Sequence, residues 1–262
     1  MKSNFDFLDK EFPVLAQFGK KAESYLYTDS NSCLMKLGMI GETIVNLMFT
    51  YDRIAVPIDN TAVNRITVLF REGLLTQDLV DILHALRKVR NKAVHENYAS
   101  VEEGKVLIQM AHSLCEWFMQ TYGDWEYRNK PFTMPVDLPT PENTDNISEQ
   151  VKEDKLAKEA EDKAAASSSV TKEKRRQQAA RAASQRQKTE AETRYIIDQQ
   201  LRQVGWEADT ENLRFSKGTH PVKGRNLAIA EWPTDSNVGN HGFANYALFG
   251  GMQLVGIIEA KA

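Results

Sequence analysis

The sequence has little of what would mark a secreted, membrane-bound or uniformly nucleic-acid-coating protein. Only two cysteines, Cys33 and Cys115, occur in 262 residues. Neither belongs to a C-x-x-C pair or stands at ligand spacing from a histidine, so neither a disulfide framework nor a zinc site is expected, and a reducing cytoplasm is the expected setting. No window approaches 18 uncharged apolar residues, and Met1-Lys2-Ser3-Asn4-Phe5-Asp6 lacks a basic stretch followed by an apolar one. Membrane spanning and secretion are therefore not expected. Positive charge is not in excess either: 33 Lys and Arg against 36 Asp and Glu give a net charge of −3. Any contact with DNA must come from a local patch. No G-x-x-x-x-G-K-[ST] loop occurs, so the chain carries no Walker-type ATP site. What is present is a hydrophobic content of 42%, enough for packed cores in one large or two ordinary domains.

Three segments differ in character. Residues 5 to about 122 read as helices almost throughout. Asp29 precedes Leu34, Leu37, Ile40, Ile44, Leu47 and Met48 at the three-and-four spacing of one apolar face. Thr61 stands in the same way before Val63, Ile66, Leu69 and Phe70, and Thr76 before Leu79, Ile82, Leu83, Leu86 and Val89. Ser100 with Glu103 forms a capping box ahead of Val106, Leu107, Met110, Leu114, Trp117 and Phe118. An α-helical bundle over residues 1–130 follows. Four prolines between Pro131 and Pro141 end it. Residues 148–190 are rich in Lys, Glu, Ala, Gln and Arg without an aromatic, and 170–188 are strongly basic, with Arg175, Arg176, Arg181 and Arg186 among the basic residues. With nothing evident to bury, 131–188 read as a linker, a solvated helix or flexible tether, and its arginines as the places where DNA phosphates would be met.

From 189 the pattern is a helix, Glu192 to Val204, closed at Gly205, then strands at Leu227–Trp232, Phe243–Phe249 and Leu254–Ala260. The fold class is α+β with several domains: a helical bundle, a charged helical linker, and a C-terminal incomplete α/β domain. Its last strand carries Glu259-Ala260-Lys261. An acidic residue on one strand and E-x-K on the next hold a Mg²⁺ ion beside a scissile phosphate, while the lysine orients water or stabilises developing charge. Residues two apart on a strand share a face, so Glu259 and Lys261 are expected together. The position on the preceding strand is Asn245.

The blocks E-T-R-Y-I-I-D (192–198), G-W (205–206), G-R-N-L-A-I-A-E-W-P-T (224–234), G-F-A-N-Y-A-L-F (242–249) and G-I-I-E-A-K (256–261) resemble the N-terminal nuclease domain of the restriction (R) subunit of type I restriction-modification enzymes, a PD-(D/E)xK fold. The resemblance implies Mg²⁺-dependent cleavage of unmodified foreign DNA in a complex with methyltransferase and specificity subunits. It makes Glu259 a metal ligand, Lys261 the catalytic lysine and Glu192 a helix-borne glutamate of the site. Asn245 stands where the family has its metal-binding aspartate. An amide loses the charge that holds a hard cation, so severe loss of activity is expected. In the family, further strands, a helix and two ATP-using motor domains follow E-x-K; here the sequence stops at Ala262. An incomplete sheet with an unpaired edge and no DNA translocation by this chain are expected.

The first segment resembles the helical module that often precedes that nuclease, in F-D-F-L-D-K-E-F-P-V-L-A (5–16), A-E-S-Y-L-Y-T-D (22–29) and L-R-K-V-R-N-K-A-V-H (86–95). That module is related to the HEPN superfamily, whose R-x-x-x-x-H signature fits Arg90 to His95. In HEPN ribonucleases the Arg and His pair across a homodimer for metal-free RNA cleavage, so Arg90, Asn91 and His95 form an alternative site, converging near the helix end. A cap at that helix C-terminus explains the same residues. A non-catalytic interaction module is the third reading. His84 and His112 are expected to be packed and Trp206 and Trp232 to be core, while His220 and His241 fall in loops of the nuclease segment.

Overall fold

The computed structural model describes residues 3–137, 146–167, 170–234 and 242–260, with backbone alone for 146–150. The chain divides into two compact units, Met1–Arg186 and Gln187–Ala262.

In the first unit a 3-10 turn, Asp6–Leu8, leads into α1 (Pro13–Tyr25), α2 (Ser30–Tyr51), α3 (Ala62–Arg71), α4 (Gln77–Glu96), α5 (Val101–Tyr122), α6 (Asn146–Ala166) and α7 (Lys172–Ser184). Side-chain caps start three of these as the sequence predicts. Asp29 accepts from the Ser32 N–H, Thr61 from that of Asn64 and Ser100 from that of Glu103. Each satisfies an orphan donor of a first turn. Thr76 stands at the fourth start without a capping bond, its Oγ1 buried and without a partner among the described residues. Helix α1 was not among the four expected, because its N-cap is Phe12 and only Pro13 at its first position marks the start.

Helix α2 lies at the centre of the unit, against α1, α4, α5 and α6. Gly38 and Gly41 let α4 approach closely: a Cβ at Gly38 would fall 2.3 Å from the Arg90 Cβ. By length and composition α2 is apolar enough to cross a membrane, contrary to the expectation from the sequence, but most of its apolar window is buried in this bundle.

The charged segment is not the solvated tether that composition suggests. Ala160 and Ala164 of α6 and Ala179 and Ala182 of α7 are buried, and they form small-residue seams that bring each helix close to the bundle. The charged groups beside them are paired. The Glu153 carboxylate accepts from Lys36 Nζ at 2.5 and 2.8 Å. Arg175 donates to Asp52 Oδ1 at 3.0 Å and to the Thr121 carbonyl, and lies 4.3 Å from the centre of the Tyr122 ring. Trp117 Nε1 donates to the Ala179 carbonyl, and Arg186 pairs with Asp78. Charge counting along a sequence registers these groups as solvated; paired, they can be buried.

His112 of α5 is packed, as expected, edge-on to Phe5, Phe7 and Phe132. Burial drops its imidazole from 6.5 to about 4. The unfolded chain therefore takes up this proton first as pH falls, and the His112 contribution to stability, complete above pH 6.5, is lost towards pH 4, by up to about 3 kcal/mol. Neighbouring Glu116 opposes this, because burial raises its carboxyl in the fold. Urea unfolding of the wild type against His112→Leu across pH 4–7 isolates the histidine: the variant is expected to show a shallower downward slope, and identical slopes would refute the assignment.

The second unit consists of α8 (Glu190–Gln203), β1 (Glu207–Ala208), a 3-10 turn at Phe215–Lys217, β2 (Asn226–Thr234), β3 (Gly242–Gly250) and β4 (Gln253–Ile258). The described strands form one sheet in the order β1-β2-β3-β4, with β1 parallel to β2 and the other pairs antiparallel. Alternation splits its side chains between two clusters. Ala228, Ala230 and Tyr246 pack with Leu201 of α8, and Leu227, Ile229, Ala247 and Phe249 pack with Leu213, Phe215 and Trp232. The mixed α+β class agrees with the sequence reading. Strand β4 stops at Ile258, however, so Glu259 lies just past the strand rather than on it.

Candidate functional site

The site is assembled by pairing between β3 and β4. Tyr246 is opposite Ile258, which brings Asn245 beside the segment that leaves β4. The Asn245 Oδ1 accepts the Ala260 N–H at 2.9 Å. This bond ties the strand position where the E-x-K pattern requires an acid to the backbone between Glu259 and Lys261. Asn245 is half-buried and Glu259 exposed. Lys261 lies outside the described residues, as does His241.

Tyr246 faces α8, its hydroxyl donating to the Arg194 carbonyl, so alternation turns Asn245 to the other face of the sheet. Glu192 sits on α8 with 3% exposure. The structure thus joins Asn245 to the Glu259–Ala260 segment and places Glu192 in the buried layer beneath α8. These residues do not fit a tightly held divalent cation. They offer one exposed carboxylate and one amide oxygen already engaged by an N–H, where a hard cation needs several charged oxygens. Among the described residues no group of three His, Cys, Asp or Glu could hold a metal ion.

Periodicity gave no hint of a second polar cluster. Glu231 interrupts β2 with φ of 53°, and the β2–β3 ladder passes from Ala230 to Trp232 without it. Its carboxylate turns to Arg214 at 3.1 Å and Arg194 at 3.8 Å. Trp232 then packs on Phe215 and Phe249. On the α8 side, Asp198 accepts the Thr210 N–H, and burial raises its carboxyl above the usual range. A left-handed non-glycine residue is a sparsely populated state that surrounding contacts must hold, and nothing in the sequence announces it.

The alternative RNase residues have different surroundings. Arg90 is ion-paired with Glu42 of α2, whereas Asn91 and His95 are exposed on α4. The reason is the 100° step of the helix, which sets Arg90 about 140° from His95 and towards α2. Of the arginines expected to meet phosphate, Arg175 and Arg186 have buried side chains, paired with Asp52 and with partly exposed Asp78. Arg176 donates to the Glu72 carbonyl, and exposed Arg181 lies over Trp125. His84 is half-buried, its imidazole lowered by burial; exposed His220 stands edge-on to Phe215.

A family described as a domain of unknown function (DUF4145) matches residues 20–158, more than half of the chain. The chain belongs to the DUF4145 family. Its DUF4145 region runs from within α1 into α6, so the family's boundary takes in the first part of the first charged helix. The second domain of the type I restriction enzyme EcoKI endonuclease subunit matches residues 207–262, which hold the whole sheet. The EcoKI endonuclease subunit of Escherichia coli (strain K12) is 26% identical over 318 aligned positions, covering 99% of this chain and 27% of that protein. The chain is thus related to a region of a type I restriction endonuclease subunit, and spans about a quarter of its relative's length. No solved structure matches it.

Proposed function

We propose that this DUF4145 chain is part of the DNA-cleaving subunit of a type I restriction system, with a nuclease centre of PD-(D/E)xK ancestry weakened at Asn245. The bond from the Ala260 N–H to Asn245 Oδ1 carries the reading. It holds the β3 position beside the E-x-K segment, with an amide where a carboxylate would be the ligand. The parent activity would be Mg²⁺-dependent cleavage of unmodified foreign DNA in the cytoplasm, in a complex with methyltransferase and specificity subunits and with ATP used by motor domains. The helical unit would then be a HEPN-like module for docking within that complex, because Arg90 is committed to Glu42.

Plasmid DNA and RNA incubated with the purified chain, with Mg²⁺ or EDTA, test this. Wild type is expected to leave both intact, and Asn245→Asp to nick DNA with Mg²⁺ in a way that Lys261→Ala abolishes. RNA cleavage that survives EDTA and is lost in Arg90→Ala would transfer the activity to the helical unit. Wild-type DNA cutting at the rate of Asn245→Asp would show that the amide does not weaken the centre.

A further inference from the structure

One face of α7 carries Lys174, Gln177, Gln178 and Arg181, at the three-and-four spacing that aligns side chains along a helix. This face and Trp125, in the turn after α5, line a cavity of about 490 Å³. A smaller recess of about 30 Å³ shares Trp125, Gln178 and Arg181 and adds Gln120. Among the described residues neither lining includes a carboxylate.

Three features point to one ligand chemistry. Trp125 is 58% exposed, although tryptophan is normally well buried. The Arg181 guanidinium lies 5.8 Å from its ring centre, so a flat apolar surface is presented beside two cations, Arg181 and Lys174. The third feature is Gln120, only 6% exposed. Its Nε2, with two hydrogens, lies within hydrogen-bond distance of three acceptors, the Tyr127 carbonyl, Asn129 Oδ1 and Gln185 Oε1, which fixes the amide's orientation. Its Oε1 is buried and has no partner among the described residues. A buried carbonyl oxygen without a donor is costly, and it marks a place where a ligand N–H would be favoured.

We propose that this cavity between α5 and α7 binds a nucleotide, either free or as an unpaired unit of a single strand. The base stacks on Trp125, its exocyclic amine donates to Gln120 Oε1, and Arg181 and Lys174 take the phosphate. Aromatic stacking tolerates any base, whereas the unpaired acceptor favours bases that carry an amine. Stacked bases of a duplex present no free face, so double-stranded DNA is not a ligand of this cavity.

Calorimetric titration of the full chain with AMP, UMP, short single-stranded oligodeoxyadenylate and the same sequence as a duplex tests the proposal. Saturable binding of AMP assigns the cavity to free nucleotides, and binding of the single strand alone assigns it to unpaired nucleic acid; either supports the proposal. Trp125→Ala and Arg181→Ala, both at exposed positions, are each expected to weaken binding about tenfold or more with unchanged melting. Absence of binding to both ligands, or binding indifferent to both substitutions, overturns it. UMP binding as tight as AMP overturns the role of Gln120.

Discussion

Arg175→Ala is expected to destabilise the first unit by about 3–5 kcal/mol, the usual consequence of removing one partner of a buried ion pair. At the scale of a domain of this size, that lowers the melting temperature by roughly 10 °C. The Asp52 carboxylate, with a side chain only 7% exposed, would keep the Tyr122 hydroxyl at 2.6 Å as a donor and lose its cation. The Thr121 carbonyl and the Tyr122 ring would lose the guanidinium as well. Because Arg175 lies on α7, the loss is expected to loosen that helix first, which limited trypsin digestion at Lys172, Lys174 and Arg181 would detect. The double change Arg175→Met with Asp52→Leu should recover most of the stability, since the cost lies in the orphaned charge and not in the missing attraction. A shift under about 1 kcal/mol in Arg175→Ala would show that the alanine seam and the Trp117 bond alone hold α7.

The segments that the sequence made legible are those governed by local rules. Asp29, Thr61 and Ser100 begin helices because a side-chain oxygen reaches an N–H three residues on, and the fold shows those bonds. The neighbourhood of Asn245 and Glu259 was legible through the order of the blocks that carry the resemblance. The docking of α6 and α7 was not. Their hydrophobicity is low, and what anchors them is alanine packing and ion pairs whose partners, Lys36, Asp52 and Asp78, lie in or at the end of other helices. The turn of Glu231 to φ of 53° was hidden for the same reason, since it depends on Arg194 and Arg214 from elsewhere in the unit. The cavity at Trp125 belongs to this class too, being formed only when α7 meets the end of α5.

Asn245→Asp is expected to raise the affinity of the second unit for Mn²⁺ or Mg²⁺ on the order of 100-fold. A charge added a few ångströms from a cation in a partly buried setting contributes several kcal/mol before desolvation, and roughly half of that corresponds to two decades in affinity. The geometry favours the substitution. One carboxylate oxygen can keep the Ala260 N–H that Asn245 now accepts, through a charge-assisted bond. The second oxygen takes the place of the amide NH₂, which repels a cation. Glu259, exposed beside it, supplies the other charge. Calorimetric titration of wild type, Asn245→Asp and Asn245→Asp with Glu259→Gln separates the contributions. The single variant should bind saturably and the double variant should fall back towards wild type. Equal, weak binding by all three with unchanged thermal melting would mean that the pairing of β3 with the Glu259 segment does not place two carboxylates on one ion, and the proposed nuclease ancestry of this site would lose its physical basis.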